Sequence, residues 1–125
     1  MMNGPIRVFP GRLTTSRSFG DIEAKYQKYG GLDGVLIVEP EIFRLSSDTT
    51  DFVVMGSDGL YEQLSNEEIS TFIWQKLTAL KEAGIQLNQQ ISNQITEELI
   101  LFGMESQSMD NISAVILFFK NCTAF

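Results

Sequence analysis

The hydrophobic period of the chain changes several times, and each change marks an element. Phe52-Val53-Val54-Met55 is a continuous apolar run that stops at Ser57-Asp58-Gly59, which predicts a buried strand ending in a turn with a carboxylate just beyond it. Ile112 to Phe119 is a second run, nearly all apolar, and predicts a strand central in its sheet. Val35-Leu36-Ile37-Val38 predicts a short buried strand broken by Glu39-Pro40, and Glu41-Ile42-Phe43-Arg44-Leu45 alternates as a half-buried strand does. Between the two long runs the spacing turns helical. Ser65 with Glu68 three residues on forms a capping-box signature, Ile69, Phe72, Ile73, Leu77 and Leu80 follow at helical spacing, and Gly84 ends the stretch. A second helix is predicted from about Asn88 to Phe102, with Ile91, Ile95, Leu99 and Phe102 on one stripe and Gly103 as its stop. Residues 4 to 21 read as a short strand closing in a turn, and residues 22 to 34 as a mobile loop with room for one helical turn. Trp74 and the five methionines read as core or helix-surface filler, since nothing polar converges on them.

Composition narrows the chemistry. A chain of 125 residues, 43% hydrophobic and 20% charged, is one globular domain or part of one, and its apolar runs fall short of a membrane span. The single Cys122 permits no internal disulfide and the N-terminus lacks a secretory layout, so a cytoplasmic or nuclear setting is expected. A net charge of −7, with nine unclustered Lys and Arg residues, argues against nucleic acid or an anionic membrane as partner. The absence of histidine removes Ser-His-Asp and Cys-His nucleophile systems, His-ligated zinc and imidazole acid-base catalysis. Carboxylates, metals, water and arginine remain. Arg12 and Arg17 lie near the start of the chain, where a guanidinium either grips an oxyanion or pairs with a surface carboxylate; the second reading is preferred.

Asp58 follows the end of one predicted strand and Asp110 precedes the start of another by two residues. If those strands are antiparallel neighbours, both carboxylates meet at one sheet edge. Two acids that close repel, so the arrangement calls for a cation between them or a shifted protonation state, and an oxygen-only ligand set favours magnesium or manganese. The alternative is two ordinary turns, because Asp-Gly and Asp-Asn are common turn dipeptides.

The chain resembles the metal-dependent protein serine/threonine phosphatases of type 2C, the PPM family, in a series of segments in family order. Gly11-Arg12-Leu13 through Ser16-Arg17-Ser18-Phe19-Gly20-Asp21 is similar to that family's Gly-x-Leu-x-x-Ser-Arg-x-x-Gly-Asp segment, and Glu39-Pro40-Glu41 to its Glu-Pro-Glu. Phe52 to Leu64 is similar to its strand with Ser-Asp-Gly-(Leu/Ile)-(Trp/Tyr)-Asp, and Ser108-Met109-Asp110-Asn111-Ile112-Ser113 to its Ser-x-Asp-Asn-(Ile/Met)-(Ser/Thr). The resemblance implies an α+β fold, an antiparallel β-sandwich flanked by helices, with residues 1–125 as the C-terminal part of one domain and a flap-like loop at about 22–34. It implies a two-metal Mg2+ or Mn2+ centre with Asp58 and Asp110 among its ligands. It also implies hydrolysis of phosphoserine or phosphothreonine in protein substrates by a metal-bridging water, with no side chain of this chain as nucleophile.

Two departures from the pattern bear on activity. Glu62 stands where the family has an aspartate that helps hold a third metal, and the family's N-terminal segments, including its Asp-Gly-His-Gly type motif, are missing. The chain therefore carries part of a ligand set. The competing expectation is a catalytically inactive, truncated module that binds a metal weakly or acts in protein-protein interaction, self-associating through exposed sheet edges.

Overall fold

The computed structural model describes residues 6–105 and 110–120. The chain divides into two compact units, Met1–Arg44 and Leu45–Phe125. The first is built around a single helical turn, α1 (Ile22–Lys25), followed by a 3-10 turn at Gln27–Tyr29. Ala24 and Leu36 are its buried residues of appreciable size, and the Lys25 ammonium donates to the Ser18 carbonyl, which ties α1 to the preceding segment. The expected loop with one helical turn is what forms here.

Among the described residues, the strands expected at residues 4 to 21, 35 to 38 and 41 to 45 do not form. Two isolated bridges stand in their place, Val8 with Leu13 and Arg17 with Ile37. A strand exists only where its N–H and C=O groups find a ladder, and Val38 to Leu45 has none: Ile42 is 81% exposed and Phe43 80%. The expectation of a β-sandwich fails for the same reason. The described residues hold one two-stranded antiparallel sheet flanked by helices, and two strands cannot close a second layer.

The second unit contains that sheet, with β1 (Phe52–Gly56) against β2 (Ala114–Phe118) in the register Phe52 with Phe118 through Gly56 with Ala114. A single turn, α2 (Asp58–Tyr61), follows β1, and two long helices, α3 (Asn66–Glu82) and α4 (Gln89–Glu105), lie between the strands in sequence. The sheet has two unlike faces. Phe52, Val54, Ala114, Ile116 and Phe118 pack against a core of Leu60, Leu64, Ile69, Ile73, Leu77 and Leu99. On the other face Met55, Val115 and Leu117 are each about half exposed. Among the described residues β2 pairs with β1 alone, whereas its unbroken apolar run predicts a strand central in its sheet.

The helices follow their sequence signals closely. The Ser65 hydroxyl accepts the Glu68 N–H at 3.2 Å while the Glu68 carboxylate accepts the Ser65 N–H at 2.8 Å, a complete capping box. At the other end Gly84, with φ 66°, sends its N–H to Lys81, and the Ile85 N–H reaches back to Leu80, the paired bonds of a Schellman turn. Gly103 does not stop α4. It lies buried inside the helix, where a Cβ would sit 3.1 Å from Ile112 and 3.4 Å from Leu60, so the small residue serves close packing and the helix runs two residues further.

Two carboxylates on these helices give the unit a defined acid sensitivity. The Ser65 hydroxyl, then its backbone N–H, lowers the Glu68 pKa, and Lys76 followed by Gln94 lowers that of Glu98. A depressed folded-state pKa adds stability above the unfolded value of about 4.3, and that stability is lost as pH falls through the folded value. Glu68→Gln is expected to lower the melting temperature at pH 7, with the difference from the parent shrinking as pH falls below about 4. Thermal melts across that range check it; a difference independent of pH would contradict it.

Candidate functional site

The antiparallel register brings the end of β1 beside the start of β2. Ser57 locks the junction: its N–H donates to the Ser113 carbonyl at 2.9 Å, and its hydroxyl donates to the Asn111 carbonyl at 3.1 Å and accepts the Ser113 N–H at 3.0 Å. The next residue on one side of this lock is Asp58, and the residues on the other are Asn111 and Asp110. Gly59 closes the gap, for a Cβ there would lie 2.5 Å from the Asn111 carbonyl oxygen and 3.5 Å from the Asp110 Cβ. Only a residue without a side chain permits that approach.

Both aspartates are exposed, and each is oriented by its own turn. Asp58 accepts the Gly59 N–H at 3.0 Å, and Asp110 accepts the Asn111 N–H at 2.7 Å. These bonds restrict rotation of the carboxyl groups at the sheet end, where water can still hydrate them. The donors are anionic oxygens, which suit a hard divalent cation. The fit is partial, since no group of three or more Asp, Glu, Cys or His residues gathers to hold a metal among the described residues. Glu62 in particular does not join Asp58 and Asp110; its N–H bonds the Asp58 carbonyl and its side chain is exposed. Magnesium needs near-octahedral coordination, so two carboxylates leave positions for water, phosphate or other ligands.

Other residues singled out by sequence fall elsewhere. Arg17 pairs with Glu41 at 2.8 Å, the carboxylate-pairing reading of that arginine. Arg12 offers its carbonyl to the Arg7 guanidinium. Ser108 and Met109 of the expected Ser-x-Asp-Asn segment lie outside the described residues. Sequence reasoning missed Ser57 and Gly59 as builders of the junction. The available signal was a hydroxyl residue immediately after an apolar run, followed by Asp-Gly.

Comparison with known proteins gives the family of the chain. The model of the family Protein phosphatase 2C matches residues 2–112, and the chain belongs to that family. It is 30% identical over 117 residues to "Probable protein phosphatase 2C 4" of Paramecium tetraurelia, covering 88% of this chain and 37% of that protein. It is 30% identical over 115 residues to "Probable protein phosphatase 2C 51" of Arabidopsis thaliana, covering 89% and 20%, and 27% identical over 113 residues to "Protein phosphatase 1B" of Mus musculus, covering 89% and 27%. The chain thus spans between a fifth and two fifths of the length of these relatives. No helix among the described residues is long and apolar enough to cross a membrane.

Proposed function

We propose that this chain forms the C-terminal part of a metal-dependent protein serine/threonine phosphatase domain, with Asp58 and Asp110 as ligands of its Mg2+ or Mn2+ centre. The observation that carries the reading is the contact at the end of the sheet, where Gly59 and Ser57 hold the two aspartate-bearing turns together. When bound, the cations would supply water activation and charge neutralisation at phosphorus. The role of the chain's own residues is to fix two carboxylates at one solvent-accessible sheet end. The substrate class is a phosphoserine or phosphothreonine protein, and the loop at about 22–34, which the resemblance likens to the family's variable flap, is assigned to substrate choice. A reducing compartment, cytoplasm or nucleus, suits a chain with one cysteine.

Two carboxylates do not complete a two-metal site, so the 125-residue chain alone is expected to show negligible turnover of a phosphothreonine peptide with manganese. A chimera in which this chain replaces the matched segment of mouse Protein phosphatase 1B is expected to release phosphate in a manganese-dependent, chelator-sensitive way. A folded chimera without activity, or robust turnover by the isolated chain, would contradict the reading.

A second reading is favoured by the bare face of the sheet. Met55, Val115 and Leu117 form a half-exposed apolar surface on the two-stranded sheet, and in this reading the isolated chain self-associates through its sheet edges and serves as an interaction module.

A further inference from the structure

The ladder between β1 and β2 ends irregularly at Ser57. The register that pairs Gly56 with Ala114 sets Ser57 opposite Ser113, and the Ser57 N–H bonds the Ser113 carbonyl at 2.9 Å, as an antiparallel ladder requires. The return bond differs. The Ser113 N–H goes to the Ser57 hydroxyl at 3.0 Å and not to the Ser57 carbonyl, which instead accepts the Leu60 N–H at 3.1 Å and opens the turn of α2. The same hydroxyl donates to the Asn111 carbonyl at 3.1 Å. The side chain of Ser57 thus takes the place of its own carbonyl at the end of the ladder.

This exchange of roles directs the chain on both sides of the junction. Leu60 is fully buried in the core, so the Ser57 carbonyl is tied through α2 to the rigid part of the unit, and Asp58 leaves the sheet in a fixed direction. On the opposite side the hydroxyl holds the backbone of Asn111, the neighbour of Asp110. One oxygen therefore fixes one aspartate-bearing turn against the other. Ser113 and Asn111 are themselves exposed, so in a variant without the hydroxyl water takes up the freed N–H and C=O groups and the fold loses little. What such a variant loses is the alignment of the two turns.

We propose that Ser57 is a positioning residue for the metal site: its hydroxyl, standing in for its own carbonyl, holds the Asp58 and Asp110 turns in the arrangement that takes up a divalent cation. This rests on the metal reading above and adds to it a residue that supplies no ligand and acts through its neighbours. Groups that orient metal ligands in this indirect way set affinity on the scale of about 10–100-fold.

The test uses the full 125-residue chain with manganese alone as the probe. Ser57→Ala is expected to speed amide exchange at Ser113 and to weaken manganese binding about tenfold or more, read as paramagnetic broadening at Gly59 and Asn111, with the circular dichroism of the parent retained. Ser57→Thr keeps the hydroxyl and is expected to restore both readouts. Ile73→Val, a core substitution remote from the junction bonds, is expected to lower the melting temperature with manganese affinity unchanged. If Ser57→Ala does not fold, Ser57→Cys takes its place, since a thiol keeps the shape and bonds weakly, and the same loss of affinity is expected. Undiminished manganese binding in the Ala or Cys variant overturns the positioning role and leaves the metal reading standing. A loss that Ser57→Thr does not recover, or that Ile73→Val shares, overturns it as well. A parent chain without broadening at Gly59 and Asn111 overturns the metal reading and this proposal together.

Discussion

In the mouse chimera, Asp58→Asn is expected to lower manganese-dependent phosphate release on the order of 100-fold or more, the scale on which removal of one charge-stabilising group acts. Asp110→Asn is expected to do the same, and the double variant to be little worse than either alone. Two ligands that share a cation fail as a unit, because the first substitution already removes what the second would disturb. Glu82→Gln, at the far end of α3, is expected to leave activity unchanged. Initial rates at saturating manganese decide the matter. Losses that multiply independently would show that the two aspartates act separately.

The second large effect is expected at Gly59. Its backbone has no positive φ, so a side chain there is opposed by space and not by conformation. Gly59→Ala places a Cβ 2.5 Å from the Asn111 carbonyl oxygen, a backbone atom held by the Ser57 hydroxyl, and one of the two segments must move. Overpacking of this kind costs about 1–3 kcal/mol, which for a unit of this size lowers the melting temperature by roughly 5–20 °C. The displacement separates the two aspartates, so the variant is also expected to lose cation binding at temperatures where it remains folded. Thermal melts and metal titration of the same sample check both parts; a stable variant with undiminished binding would refute the close approach.

The elements legible in the sequence are those whose signals are local. Ser65 and Glu68 cap α3 through bonds three residues apart, and Gly84 ends it through a turn of its own, so a few adjacent residues determine both boundaries. The antiparallel pairing that sets the turn after β1 beside the segment before β2 was legible too, because two strands joined antiparallel necessarily place the end of one beside the start of the other. What could not be read was whether an apolar run finds a partner. Val35–Val38 and Glu41–Leu45 carry strand-like patterns as good as that of β1, yet Ile37 makes a single bridge and Ile42 and Phe43 stand in solvent. A strand pattern states what a segment buries when paired and says nothing of the supply of pairing edges. The β-sandwich expectation failed on this point. Gly103 misled for a related reason: a glycine after an apolar stripe signals a helix stop, but this one leaves room for Ile112, a contact between segments that no local window contains.

The claim that Asp58 and Asp110 face one cation is tested most directly by titrating the isotope-labelled 125-residue chain with manganese and following amide line widths. Paramagnetic broadening is expected first at Gly59 and Asn111 together, reversed by chelator, and lost at both positions in either Asp58→Asn or Asp110→Asn. Broadening at Gly59 that persists in Asp110→Asn, or no preference for this end of the sheet over other acidic surface, would contradict the shared site.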